Sequence, residues 1–173
     1  MADKKIWMGI LALALVFGMA VVGCGGDDSS SSEADTWASV TSLTQLNGTW
    51  KGSATQRNSN GGITMTMTME MTMTIIATNA TTGTMSGVQK MTYTFSGNID
   101  TATWNSIKES FGGEEGVIIN DSARSIIMTD TITSQSIKLT DLTGAQINQN
   151  GKKVKQPAGA DGEGSPEMIF IKQ

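Results

Sequence analysis

Five methionines at every second position, Met65, Met67, Met69, Met71 and Met73, form the densest array of candidate ligand atoms in this 173-residue chain. Thioether sulfur is a soft donor that suits Cu(I). Alternate residues of a strand stand roughly 6.5–7 Å apart. Two neighbouring methionines could therefore converge on one ion, but five on one rigid strand could not. Methionine also serves as adaptable apolar filler, or as a soft lining for a lipid-like ligand. Regular spacing is what packing demands, so a packed face is the first reading, a lined interior the second and copper the third.

The remaining chemistry is sparse. The chain has no histidine, which removes the commonest general base and the usual zinc and haem ligand. No Gly-x-Ser-x-Gly elbow, phosphate loop or dinucleotide fingerprint occurs. Glu114-Glu115 and Asp161-x-Glu163 stand beside glycines, where solvated loop charge is the plain reading. No catalytic set, metal site or cofactor is expected, and the chain reads as non-enzymatic.

Cys24 is the single cysteine. Lys4 and Lys5 precede a fifteen-residue apolar run from Ile6 to Ala20. A comfortable transmembrane helix needs roughly 20 residues, whereas this length suits a signal peptide. The run ends in Val21-Val22-Gly23-Cys24, which resembles the lipobox of bacterial lipoproteins. That resemblance implies a signal peptide over 1–23, cleavage after Gly23, diacylglycerol on Cys24, and acylation (palmitate or a similar chain) of the new amine. Two or more chains anchor stably without a spanning helix. An Asp directly after the lipidated cysteine retains lipoproteins at the inner membrane in some two-membrane bacteria. Gly25 stands there instead, which points to the outer membrane where a cell has one.

Without residues 1–23 the chain keeps ten Lys and Arg against fifteen Asp and Glu, a charge of about −5. Such acidity argues against nucleic acid and against a polybasic grip on anionic lipid. With no cysteine left for a disulfide, a hydrophobic core must hold the fold. Residues 24–35 are Gly-, Asp- and Ser-rich and read as a flexible tether. Residues 36–173 are one domain's length, expected to be monomeric.

Within that domain Trp37, Val40 and Leu43 recur at helical spacing behind Thr36, which predicts a short helix. From Ile63 to Ala77 methionine and threonine alternate with period two, which predicts a strand with one buried and one solvated face. Thr84–Ser96 is a second strand, with Met85, Met91, Tyr93 and Phe95 on one face. Trp104, Ile107 and Phe111 at i, i+3 and i+7 predict a helix over Thr101–Phe111 that packs onto the sheet or lids it. Strands follow at 116–120, 125–133 and 136–142. The Asn150-Gly151 pair sets a hairpin flanked by Lys152, Lys153 and Lys155, read as a solvated edge. Met168–Ile171 closes the chain. About eight or nine strands with short turns suit an antiparallel meander that hides its edges by closing into a barrel.

Leu46-Asn47-Gly48-Thr49-Trp50 is similar to the Gly-x-Trp segment that opens the first strand of lipocalin-like proteins. The resemblance implies a mainly β, calycin-like antiparallel barrel of about eight strands with one or two short helices. Trp50 would pack across its closed end, and in many members a late arginine stacks on that ring. The open end would hold a small apolar or amphiphilic ligand against Trp50, the Met65–Met73 stripe, Met91, Tyr93 and Phe95. The competing expectation is a surface lipoprotein with a packed barrel that contacts a macromolecule through its loops.

Overall fold

A computed structural model of the chain describes residues 36–112, 115–158 and 166–173. The expected signal segment (1–23), Cys24, the expected tether (24–35), Glu114, Asp161 and Glu163 lie outside the described residues. The described chain is mainly β. Its strands are β1 (Trp37–Ser39), β2 (Gly48–Asn60), β3 (Ile63–Ala77), β4 (Thr82–Gly97), β5 (Val117–Asn120), β6 (Ser125–Lys138), β7 (Gln146–Asn148), β8 (Lys153–Gln156) and β9 (Met168–Lys172). One α-helix, α1 (Thr101–Phe111), follows β4, and 3-10 turns cover Leu43–Leu46 and Leu139–Leu142.

The nine strands form one antiparallel sheet in the order β1-β7-β8-β9-β2-β3-β4-β6-β5. The order is linear, with β1 and β5 at its ends, and is not closed into a ring. It also departs from a simple meander. The chain passes from β4 through α1 to β5 and then returns as β6 between them, while β9 comes back to pair with β2.

Local chemistry explains the long elements. Threonine disfavours helix and suits a pleated surface, and the Met-Thr alternation becomes the fifteen-residue β3. Gly61 and Gly62 take positive φ of 58° and 81° at the β2–β3 turn, a conformation that costs glycine little. Across that hairpin the Ser59–Thr64, Thr55–Thr68 and Thr49–Thr74 hydroxyl pairs lie 2.8, 3.4 and 2.9 Å apart. Helix α1 begins where Asp100 accepts the Thr103 N–H at 2.7 Å and ends at Gly112. It buries Trp104, Ile107 and Phe111, the three residues its spacing marks.

Three local expectations need correction. Residues 36–43 are not a helix: Trp37–Ser39 is a strand paired with Asn148–Gln146, and the helical turn starts only at Leu43, behind Ser42. The capacity of β7 to accept another strand outweighs a weak helical period. Residues 136–142 are not a separate strand. β6 runs on to Lys138, where the Asp141 carboxylate accepts the Lys138 N–H at 2.8 Å and winds Leu139–Leu142 into a 3-10 turn. The Asn-Gly hairpin forms as expected, with Ile147 opposite Val154. It is no edge, however, because β1 flanks β7 and β9 flanks β8.

The chain divides into two compact units. One holds Thr55–Met69 and Lys90–Asp130; the other holds residues 36–54, Glu70–Gln89 and 131–173. Each has its own apolar cluster, drawn only from residues after 36.

Candidate functional site

The residues expected to line one interior fall into two settings. In the first unit Met65, Met91, Tyr93 and Phe95 are at most 6 % exposed and pack with Trp104, Ile107, Phe111, Ile126 and Met128. Met67 and Met69 pack against the same cluster, half-buried. Ring contacts fix the roof: Tyr93 lies 5.1 Å from Phe111, tilted by 53°, and Phe95 lies 5.8 Å from Trp104 at 65°. Such offset and edge-on pairs add to area burial. The Tyr93 hydroxyl donates to Met91 Sδ, at 3.6 Å. Burial pushes its pKa up to about 12.

The helix is also pinned at its rim. Trp104 Nε1 donates to Asp121 Oδ1 at 2.7 Å, and Lys108 Nζ reaches the same oxygen at 2.9 Å. The Lys108 hydrogen bond, then that of Trp104, holds the Asp121 carboxyl below its ordinary value. Arg124, at φ 48°, places its guanidinium 5.1 Å from the Trp104 ring. The sequence marked Trp104 but neither Asp121 nor Arg124 as its partner, because both come from the β5–β6 turn.

In the second unit the Gly48-Thr49-Trp50 segment is where the fold is most specific. The 3-10 turn Leu43–Leu46 is capped reciprocally. The Ser42 hydroxyl accepts the Thr44 N–H at 3.2 Å, and Gln45 Oε1 accepts the Ser42 N–H at 3.0 Å. The turn carries Leu46 to the indole: Trp50 Nε1 donates to the Leu46 carbonyl at 2.6 Å, and Trp50 is fully buried. Gly48 has φ 120°, and a β-carbon there would meet Lys172 Cε at 3.0 Å. Its missing side chain thus admits the Lys172 stem, whose Nζ stands 5.3 Å from the Trp50 ring. Sequence reasoning did not identify Lys172, because only the β2–β9 register sets it opposite Trp50. Phe170 packs against Gly52, where a methyl would come within 2.6 Å of the ring.

Beneath Trp50 is a small apolar cavity of about 20 Å³, bordered among others by Met73, Ile75, Val154 and Phe170. That is about one water's worth of space, against several hundred Å³ for a small-molecule pocket. Of the expected lining, Trp50 and Met73 border this cavity, while Met71 is half-buried on the same face of β3. Among the described residues no group of three or more His, Cys, Asp or Glu is placed to hold a metal ion. No described helix is long and apolar enough to cross a membrane.

Comparison with protein-family models, with curated proteins and with solved structures returns no match for this chain.

Proposed function

We propose that the chain is a lipid-anchored lipoprotein of the cell envelope whose β domain is a packed, non-catalytic interaction module. The anchor rests on the Val21-Val22-Gly23-Cys24 segment behind an apolar run of signal-peptide length. The interaction role rests on one observation: the most deeply buried of the apolar side chains that could line a ligand chamber pack against one another, with Met67, Met69 and Met71 half-buried. Met65, Met91, Tyr93 and Phe95 are closed under α1, and the cavity at Trp50 holds about 20 Å³.

A second reading, a lipocalin-like carrier, is favoured by the Trp50 seat. A tryptophan at the start of the first long strand, resting on a 3-10 turn and covered by a late cation, matches the closed end that the Gly-x-Trp resemblance implies. In this reading an apolar ligand enlarges the cavity by displacing Met73 and Phe170.

Titration of the domain with an environment-sensitive apolar dye separates the two. The interaction module gives no saturable signal. Saturable binding that weakens when Met73 is replaced by Thr overturns it in favour of the carrier. Lipidation is tested on its own by metabolic labelling with a fatty acid, where label is expected on the parent chain and none on Cys24→Ala.

A further inference from the structure

We propose that the sheet face bearing Trp37, Lys51, Lys153, Lys155, Ile169 and Ile171 lies against an anionic lipid surface and orients the domain on its membrane; this rests on the lipoprotein reading. The strand register assembles the face. Lys153 opposes Ile171, and Ile171 in turn opposes Lys51. Lys155 opposes Ile169, and Gln146 lies on its other side. Directly opposed residues share a face of the sheet. The alternating residues Trp50, Val154 and Phe170 are buried, so the lysines and isoleucines look outward. Ile169 and Ile171 are 42 % and 53 % exposed. Trp37 joins them from β1, with Lys155 Nζ 5.0 Å from its ring.

Charge is segregated on this side of a chain that is acidic as a whole. β1, β2, β7, β8 and β9 contain no Asp or Glu, and of their cations Lys51, Lys153 and Lys155 stand on this face, while Lys172 lies on the opposite, Trp50 side. The overall charge of −4 therefore hides a local cationic surface. Ammonium groups on long stems, an aromatic ring and exposed aliphatic side chains are what a headgroup boundary accepts. Lysine keeps its charge at the phosphates while its stem lies on apolar surface, and tryptophan favours the interface.

Chain length supplies the proximity. Twelve residues lie between Cys24 and Trp37, a reach of at most about 45 Å. The face thus begins at the first strand the anchored chain enters. Anchoring converts docking into an intramolecular event at an effective concentration in the millimolar range.

The test uses the chain from residue 25 onward, without lipid, which keeps both cores. Flotation with vesicles of phosphatidylcholine alone is compared with vesicles containing about one-third phosphatidylglycerol. We expect binding to the anionic vesicles only, lost in about 0.5 M salt, with quenching of Trp37 by brominated lipid. Each basic residue near such a surface is worth about five-fold in partitioning. The Lys51→Gln, Lys155→Gln pair should therefore weaken binding by about 25-fold, while Lys138→Gln, in β6, leaves it unchanged. Equal binding to both vesicle types overturns the proposal, as does no loss in the double variant with its thermal melt intact. An unlabelled Cys24 in the fatty-acid experiment sinks the anchor reading alone, because the vesicle result does not depend on it.

Discussion

The helix-roofed core and the Trp50 seat both use the methionine face of β3, yet they are assembled over different distances along the chain. The roofed core takes α1, β5 and the start of β6 from one contiguous run after β4, so Trp104 and Phe111 meet Phe95 and Tyr93 from nearby in sequence. The Trp50 seat joins opposite ends of the domain. Lys172 and Phe170 of the last strand cover the first long strand, and Val154 of β8 completes the wall. A core built from neighbours is legible as periodicity. A seat built from distant strands exists only once the register is set.

Breaking the roofed core should have the largest effect. Phe111→Ala removes a ring that is 2 % exposed and touches Tyr93, and should cost about 3–5 kcal/mol in urea unfolding. Hydrogen exchange locates the damage. The amides of Met91–Phe95 should lose protection before those of Val154 and Phe170, and simultaneous loss would break the contrast between the two regions.

Lys172→Ala probes the seat more gently. It removes a cation from the Trp50 face at an exposed position, worth about 0.5–1 kcal/mol. Trp50 should remain buried, because its indole hydrogen bond to Leu46 is unchanged. Trp50 emission shifted fully to that of a solvated indole would show instead that the lysine holds the seat closed.

The smallest effect concerns pH. The Asp121 carboxyl lies below its ordinary value because Lys108 and Trp104 donate to it, and Asp100 lies low through its bonds to Thr103. A carboxyl depressed by folding stabilises above its unfolded value and loses that contribution as pH falls through the folded one. The rim of α1 should therefore weaken below about pH 4. Asp121→Asn should flatten that decline without abolishing it, since Asp100 remains. A parent chain whose urea midpoint is unchanged on acidification would remove the carboxylates from the account of how the helix is held.

Much of the first region was legible in advance. The bounds of α1 follow from the Trp104-Ile107-Phe111 spacing and the glycines after it, and the structure adds Asp100 as the cap. β3 follows from the strict alternation of Ile63–Ile75. The Trp37–Leu43 period misled because a single helical turn has too few contacts to resist a neighbouring strand, and β7 offered Trp37 a ladder. The lysines of the Asn-Gly hairpin were visible, but whether that hairpin is an edge or an interior pair depends on β1 and β9. Among the candidate site residues, a shared face was legible for Met65 through Met73. Their division between two clusters was not, because period two says which side a residue faces and nothing about what covers that side at each point.

The sequence alone thus determined the local elements, because alternation, capping and turn chemistry act between residues only a few positions apart. It also carried the Val21-Val22-Gly23-Cys24 segment, whose resemblance to a lipobox is linear and needs no fold to be read. Only the tertiary structure decided that Lys172 would stand over Trp50, that the methionine stripe would serve two packed clusters, and that lysines from β2 and β8 would flank the exposed isoleucines of β9. Those outcomes rest on strand order and register, and pairing between strands far apart in the chain is selected by the fit of the whole sheet rather than by any one segment.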